Sequence, residues 1–443
     1  MKQREAKEKL NLCVFINSDL HFRNYIETKA LNEAIRDRNV KYILSKNVSE
    51  KNRQKIKSET IVYVENKIRY RLHNFLFDVL MVKNKEKSIS FKYRIKRIYE
   101  YERKGQKKLK NTSKKKLWFS IIKAYAALKG MDHLIRKLLI KFNPFDKILE
   151  ELEVDLILLP SSAYESAGID IINSAYKHHI KSIVLIDNWD NASSKSIFWC
   201  NPDAYCCWGK QSKDHLRKIQ NYKGRIEVIG TPRFEIHREL VDKKEAYILF
   251  LGTALVFDEE KVLIYLNNLI QKDKLPSRID KIIYRPHPWR QAEKITNISK
   301  LENVEIDNDI NRLDWNMDGL KRGIPSNKAL KKSIIGAEIV IGGLTSSLIE
   351  SLLCQRRVIA LAHKEKNNIL SPSEVLINYE HFKDIDKVHG LHLIKNLDDI
   401  EGLIKKIINQ DVDRNDESIQ NIISYTDEKY SQRLKKVVDS FSK

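Results

Sequence analysis

The chain has 443 residues, of which 42% are hydrophobic and 32% are charged, so the composition excludes a largely disordered protein and allows two or three domains. No stretch approaches the ~20 apolar residues that cross a bilayer, and residues 1–9 lack the apolar core of a secretory signal. Five cysteines without paired spacing argue against a disulfide framework or a zinc site, so we expect a cytoplasmic protein.

The net charge of +22 is typical of nucleic-acid-binding proteins, because phosphate contacts need Lys and Arg. However, the segment from Met81 to Lys116 holds 15 Lys or Arg and only 3 Asp or Glu, so more than half of the excess lies there. The charge is therefore segregated from the rest of the chain. We expect no nucleic-acid partner; a steep salt dependence of nucleic-acid binding would be the sign of one.

The first half of the chain predicts strands and helices in alternation. Apolar runs predict strands, in chain order, at residues 10–16, 40–44, 60–64, 154–159, 182–186, 204–208 and 226–229. Helical patterns cover residues 22–38, most of 66–152, 164–178 and 210–219. Residues 66–152 contain the basic segment, so we expect a helical basic insertion in the N-terminal domain.

A second series follows a polar connection at residues 233–245. Strands are predicted at residues 247–251, 281–284, 303–306, 338–341 and 358–361, and helices at 258–271, 327–335, 397–410 and 418–441. Alternating strands and helices predict parallel sheets, and two series predict two doubly wound domains. We place the N-terminal domain at 1–240, the C-terminal domain at 241–415, and a last helix at 416–443 that packs back on the N-terminal domain.

Ligands of open parallel sheets bind at the carboxyl ends of the strands, so the residues just after each strand are the first candidates. The loop after 182–186 offers two carboxylates, two amides, an indole and an amine, namely Asp187, Asp190, Asn188, Asn191, Trp189 and Lys195. Such a loop can supply a general base and hydrogen bonds to sugar hydroxyls. A turn with Ser193 or Ser194 as a helix cap is the alternative.

Two further loops suit phosphate. His287 lies between two prolines that stiffen its backbone, and Arg285 beside it can neutralise a phosphate. The segment 342–350 combines small residues with hydroxyls at a helix start, which favours anion binding. It is neither a P-loop nor a dinucleotide fingerprint. Glu350 follows Ser347 by three residues, so a capping box is the alternative, and both can hold together.

These loops, in this order, resemble bacterial surface-carbohydrate biosynthesis proteins of the CDP-glycerol glycerophosphotransferase and capsular polysaccharide transferase group. The resemblance rests on the Trp-Asp-Asn loop at Trp189, Gly230-Thr231-Pro232 with Phe234, Arg-Pro-His-Pro at Arg285, and Thr345 to Glu350, and covers about residues 154–362. It implies an α/β protein of the GT-B class, with two Rossmann-like doubly wound domains that face each other across a cleft.

The resemblance also implies roles for residues. The donor-binding candidates on the C-terminal domain are Arg285, His287, Gly343, Thr345, Ser346, Ser347, Glu350, Gly252 and Thr253. The acceptor-binding candidates on the N-terminal domain are Asp19, His21, Asn188, Trp189, Asn191 and Lys195. We take Asp190, Asp187 and His287 as the catalytic candidates, and we expect no metal and no cofactor.

The predicted function is therefore transfer of a sugar, such as a CMP-activated acidic sugar, or of a polyol phosphate from a CMP, CDP or UDP donor to a surface glycan or lipid-linked acceptor. A UDP-sugar 2-epimerase-like enzyme on the same fold is the alternative. The basic segment 81–116 and the amphipathic stretch from Leu117 to Phe142 predict a peripheral position on the anionic inner face of the cell membrane. The alternative is that this stretch only packs on the N-terminal domain.

Overall fold

A computed structural model gives the fold and describes residues 10–100, 112–237, 245, 247–287, 297–298, 300–311 and 326–441. The chain divides into two compact units. Unit 1 contains the residues up to Arg233 together with those from Asn421 onwards, and unit 2 runs from Phe234 to Gln420.

Unit 1 is built on a sheet of seven parallel strands in the order β3-β2-β1-β4-β5-β6-β7. The strands are β1 Asn11–Ile16, β2 Asn39–Ser45, β3 Thr60–Tyr63, β4 Leu156–Ser161, β5 Lys181–Ile186, β6 Ala204–Cys207 and β7 Arg225–Val228. β1 and β4 are buried along almost their whole length, because both faces of a parallel sheet are covered. The strand order reverses between β1 and β4, where this class of sheet binds ligands.

The helices of unit 1 cover both faces of this sheet. The α-helices are Asp19–His21, Asn32–Ile35, Glu50–Arg53, Lys67–Lys83, Ile89–Ile95, Thr112–Ala127, Met131–Lys141, Phe145–Leu152, Ser166–Lys177, Asn191–Ser194, Lys210–Lys218, Glu417–Ile422 (shared with unit 2) and Tyr430–Asp439. Wider helical turns cover Phe22–Glu27 and Lys96–Glu100. The pattern at 22–38 predicts one helix, and this is wrong, since Lys29 takes a left-handed conformation that divides it.

The described part of the basic insertion is helical, as the sequence predicts. Its amphipathic stretch forms two helices, Thr112–Ala127 and Met131–Lys141, rather than one. Gly130 separates them with a φ of +81°, a conformation that a residue with a side chain rarely adopts. Both helices contact the helix Lys67–Lys83.

The end of the chain contributes to the core of unit 1. Tyr430, Leu434 and Val438 are buried in the same apolar cluster as β1 and β2. The segment before this helix approaches the sheet closely, and the Ser424 N–H donates to the Trp208 carbonyl at 2.7 Å. A Cβ atom on Gly230 would lie 2.4 Å from the Ser424 carbonyl oxygen, so this approach requires glycine there.

Unit 2 is built on six parallel strands in the order β10-β9-β8-β11-β12-β13, which reverses between β8 and β11. The strands are β8 Tyr247–Leu251, β9 Lys281–Arg285, β10 Val304–Ile306, β11 Ala337–Gly342, β12 Arg357–Leu361 and β13 Leu391–Ile394. The helices are Glu259–Gln271, Asn308–Asn311, Asn327–Gly336, Ser346–Leu353, Pro372–Asn378 and Ile400–Ile407. Short 3-10 turns cover Lys85–Lys87 in unit 1, Pro232–His237 where the chain passes from unit 1 to unit 2, and Glu380–Phe382, Ile385–Lys387 and Leu397–Asp399 in unit 2.

The predicted α/β fold with two Rossmann-like doubly wound units of the GT-B type is confirmed. The sequence predicts every strand of the described residues except β13, whose Leu-His-Leu-Ile alternation is short and follows a turn at Gly390. No described helix is long and apolar enough to cross a membrane. All five cysteines are buried free thiols.

Candidate functional site

The loop after β1 places one histidine at the point where the strand order of unit 1 reverses. Ser18 caps the short helix that follows, its hydroxyl accepting from the His21 N–H at 3.3 Å. The His21 side chain is only 5% exposed, and its Nδ1 has no hydrogen-bond partner among the described residues. The Asp19 side chain makes contacts of another kind, because its Oδ1 accepts from the Ser49 N–H at 2.9 Å and from the Asn52 side-chain amide at 2.8 Å. The Asp19 carboxylate therefore holds the loop after β2.

The loop after β4 adds a carboxylate that the sequence analysis did not select. Glu165 accepts from the Ser161 hydroxyl at 2.6 Å and from the Ser162 N–H at 3.0 Å. Burial opposes its negative charge, but His21 and these hydrogen bonds outweigh burial, so the pKa of Glu165 lies below its usual value. Glu165 is therefore an ionised carboxylate at neutral pH. The signal in the sequence is the pair of serines and the acid that follow a predicted strand.

The loop after β5 supplies a second buried carboxylate. Asp187 is 4% exposed and accepts from Asn24 at 3.4 Å and from Asn188 at 3.2 Å. The His21 Nε2 lies 3.7 Å from Asp187 Oδ2 and 3.9 Å from Glu165 Oε1. One imidazole thus has two carboxylates beside the same nitrogen. This arrangement favours a proton on Nε2 and leaves the lone pair on Nδ1, as in a general base.

The other predicted residues of this loop contact protein groups. Asp190 lies 3.1 Å from the Lys195 amine and accepts from the Ser194 hydroxyl at 2.7 Å. The buried Asn191 accepts from the Asn188 N–H at 2.7 Å, and the Trp189 indole donates to Gln211 at 2.5 Å. The suggested cap by Ser193 or Ser194 is wrong, because both hydroxyls contact the Asp190 carbonyl instead. Of the residues predicted after β5, only Asp187 lies beside His21.

In unit 2, the strand end that carries Arg285 is held by an ion-pair cluster. The Arg285 guanidinium is 6% exposed and donates to Asp307 at 2.8 Å and to Asp309 at 2.6 Å. Asp307 also accepts from the Ser333 hydroxyl at 2.6 Å. The Arg285 charge is therefore neutralised within the protein, and its side chain joins the loop after β10 to the end of β9.

We expect Arg285→Met to reduce the free energy of unfolding by about 3–5 kcal/mol, because it leaves buried carboxylates without their partner. Urea denaturation measures this loss. Lys281→Met on the same strand is the matched control, since the exposed pair of Lys281 with Glu305 at 3.3 Å is worth at most about 1 kcal/mol. Unchanged stability together with weaker nucleotide binding would instead assign Arg285 to the donor phosphate.

The loops after β8 and β9 lie against each other. A Cβ atom on Gly252 would lie 2.9 Å from the His287 backbone nitrogen, so glycine permits this approach. The Thr253 N–H donates to Glu259 at 2.9 Å, and the Thr253 hydroxyl donates to the Leu255 carbonyl at 2.6 Å. The structure thus places the half-buried His287 beside Gly252. Pro288, the second proline beside this histidine, lies outside the described residues.

The loop after β11 opens the helix Ser346–Leu353 at the point where the strand order of unit 2 reverses. Thr345 is its N-cap, with the hydroxyl accepting from the Ser347 N–H at 3.0 Å. The predicted capping box of Ser347 and Glu350 is therefore wrong, because the helix begins two residues earlier than that box requires. The side chains of Thr345, Ser346 and Ser347 are half-buried, so a ligand can reach them. A Cβ atom on Gly343 would lie 2.6 Å from Thr253 Cγ2, which brings the loops after β8 and β11 together.

Glu350 faces the interior rather than this helix start. It is 3% exposed, and its Oε2 lies 3.5 Å from the His237 Nε2, while the Cys354 thiol lies 3.2 Å from the His237 Nδ1. Burial and then the charge of Glu350 raise the pKa of Cys354 to about 12, so this thiol is protonated. The three side chains hold the helix against the turn that begins unit 2.

Among the described residues, no group of three or more His, Cys, Asp and Glu side chains is arranged to hold a metal ion. Two candidate groups remain in the described residues: His21, Glu165 and Asp187 in unit 1, called the acid-base cluster, and Ser346, Ser347 and His287 in unit 2, called the candidate phosphate site.

Comparison with known proteins gives similarity at the level of the fold. No protein-family model and no curated protein sequence matches the chain. A UDP-GlcNAc 2-epimerase from Methanocaldococcus jannaschii is similar in structure, with a TM-score of 0.52, 11% identity, and coverage of 97% of this chain and 100% of that one. A putative UDP-N-acetylglucosamine 2-epimerase from Listeria monocytogenes gives a TM-score of 0.50 at 10% identity, over 98% and 96% of the two chains.

Proposed function

We propose that the protein is a glycosyltransferase that moves a sugar or a polyol phosphate from a nucleotide-activated donor to a hydroxyl of a glycan or lipid-linked acceptor. The observation that carries this proposal is the placement of the two clusters. Each lies where the strand order of its sheet reverses, and their chemistry is complementary: one is acid-base, and the other suits an anion.

The phosphate site suits the donor. The helix Ser346–Leu353 directs its first N–H groups and its positive dipole end outward from β11, and the hydroxyls of Ser346 and Ser347 lie at that end. These groups stabilise the negative charge that develops on the leaving phosphate. Gly343 lets the loop after β8 lie close to this helix start, because Thr253 and Phe257 occupy the place that a Cβ atom would take.

The acid-base cluster suits the acceptor. His21 accepts the proton of the acceptor hydroxyl on Nδ1, an atom that the structure buries, so the acceptor must displace neighbouring groups to reach it. The acceptor oxygen forms the new bond to the transferred group, and the bond from that group to the donor phosphate breaks. The carboxylates of Asp187 and Glu165 stabilise the imidazolium that forms, because both lie within 4 Å of its Nε2. The leaving nucleotide carries the negative charge away. We now favour His21 over Asp190 as the base, since Asp190 is paired with Lys195.

A UDP-sugar 2-epimerase-like activity is the second candidate. The observation in its favour is that His21 has carboxylates on two neighbouring loops, since a cluster of acid-base groups suits removal of a proton from a sugar carbon and its return. Incubation with UDP-N-acetylglucosamine alone distinguishes the two functions. An epimerase converts the sugar without an acceptor, whereas a transferase leaves it unchanged.

A thermal-shift screen with CMP, CDP, UDP and GDP tests the proposed donor class. A nucleotide that binds the folded protein raises its Tm by mass action, by an amount that grows with concentration over Kd. We expect one of CMP, CDP and UDP to raise the Tm more than GDP does. No Tm change with any of the four nucleotides at millimolar concentration would contradict the proposal.

A further inference from the structure

The exposed large apolar side chains of unit 1 are concentrated in one place. Seventeen such residues occur in the described parts of the whole chain, and eight of them lie between residues 117 and 142. Soluble proteins rarely expose a continuous apolar patch without a function for it. We call the helices Thr112–Ala127 and Met131–Lys141, with the turn between them, the basic helix pair.

The first helix of the pair is apolar on two opposite sides. Its inner side is buried in the core of unit 1 through Phe119 and Ile122. Leu117, Ile121 and Leu128 follow a spacing of four and seven residues, which places them on one stripe about half a turn away. They are 64%, 36% and 53% exposed. The inner side belongs to the apolar core, whereas Leu117, Ile121 and Leu128, the last of which directly follows the helix, are not among the described residues packed against that core.

The second helix also has a buried and an exposed apolar pair, but these lie about 100° apart around the helix rather than on opposite sides. Ile135 and Leu139 are buried in the same core, whereas Leu134 and Leu138, four residues apart, are 50% and 46% exposed. Both helices contact the helix Lys67–Lys83, the first of them through the rings of Trp118 and Tyr125 against Phe75. The exposed leucines and isoleucine of the pair lie outside the buried core of unit 1.

The charges around these stripes have almost one sign. Residues 112–142 contain eight Lys or Arg and one acidic residue, Asp132. That carboxylate lies 2.7 Å from the Lys83 amine and 3.3 Å from Arg136, so basic groups already neutralise it. Lys137 and Lys141 are exposed and flank the stripe of Leu134 and Leu138 at helical spacing. An apolar stripe bordered by lysines matches a surface with an apolar interior and anionic groups above it.

We propose that the basic helix pair docks unit 1 on an anionic lipid surface. The leucine and isoleucine side chains enter the boundary between headgroups and acyl chains, and the lysines contact the anionic headgroups. A second copy of the chain would bring eight basic residues against another eight, so charge repulsion opposes that occupant. Nucleic acid would contact the lysines but leave the apolar stripes exposed. This proposal does not depend on the proposed function, because lipid binding needs neither donor nor acceptor.

Co-sedimentation of the full chain with vesicles tests the proposal. We expect binding to phosphatidylcholine vesicles that contain about a third phosphatidylglycerol, and at least about tenfold weaker binding to phosphatidylcholine alone. The variant Leu117→Ser/Ile121→Ser/Leu134→Ser/Leu138→Ser should bind the anionic vesicles at least about tenfold more weakly, because it removes the apolar contact. The variant Lys137→Gln/Lys141→Gln should bind the anionic vesicles more weakly. Added salt should weaken the binding of the original chain in the same way, because it screens the lysines.

The control is Ile264→Ser/Ile377→Ser, which removes two exposed apolar side chains of unit 2 that are 40% and 62% exposed. We expect it to bind vesicles like the original chain, and circular dichroism should show that every variant is folded. Equal binding by the four-residue variant, an equal loss in the control, or no preference for anionic vesicles would each overturn the proposal. A dimer in sedimentation velocity that only the four-residue variant abolishes, without vesicle binding, would assign the stripes to a second copy.

Discussion

Replacing His21 by Ala should lower the turnover of the proposed transfer by about 10²–10⁴, the usual contribution of a positioned general base. The reason is geometric: His21 is the one described imidazole with a carboxylate from each of two neighbouring loops within 4 Å of its Nε2. Turnover is measured as release of the nucleotide from the donor that the thermal-shift screen identifies. The acceptor is supplied as an extract of envelope lipids and glycans.

Nucleotide binding by the His21→Ala variant should stay unchanged, because the proposed phosphate site is in unit 2. Asp19→Asn is the matched control on the same loop, since its carboxylate holds Ser49 and Asn52 rather than His21. We expect that control to keep most of the turnover and to lose some stability. A His21→Ala variant with ordinary turnover would exclude His21 as the base and return the role to Asp187 or Asp190.

The variant Ser346→Ala/Ser347→Ala/His287→Ala should weaken binding of the donor nucleotide by at least about a hundredfold. A hydrogen bond to a charged group contributes about 1.5–3 kcal/mol, and the variant removes three side chains that can form one with phosphate. Isothermal titration with the nucleotide measures the loss. Thr345 is left in place because it caps the helix, and removing a cap costs about 1 kcal/mol of stability.

Ser351→Ala is the control for this variant. Ser351 lies one turn further along the same helix, is fully buried, and donates to the Ser347 carbonyl at 2.9 Å. It shares the chemistry of the replaced serines but no ligand can reach it, so nucleotide affinity should not change. Equal affinities for the triple variant and the original chain would show that the phosphate binds elsewhere.

The sequence predicts the sheets well because their strands are buried on both faces. β1, β4 and β5 are continuous apolar runs, and polar residues mark where they end. It predicts helix limits less well, because single residues decide them. Gly130, with its positive φ, divides an apolar pattern that is continuous in the sequence, and Lys29 does the same at 22–38.

The site could be predicted only in part, because sequence position does not show which groups pair. Polarity after a strand selects His21 and Asp187, which the structure places side by side. The same signal selects Arg285, whose charge is neutralised by Asp307 and Asp309 on a loop that follows another strand. Glu165 shows the reverse case, since its importance depends on the distance to His21, which is 144 positions away in the chain.

The return of the chain to unit 1 at Asn421 has a consequence for how the protein is made. A ribosome that has finished β7 has supplied all seven strands of that sheet, yet the apolar surface that Tyr430, Leu434 and Val438 cover stays bare until about two hundred further residues have been added. Unit 2, whose residues are contiguous, can therefore close before unit 1 is complete. A nascent chain halted before its last helix should need chaperone protection. A circular permutant in which residues 421–441 precede residue 10 should not need it.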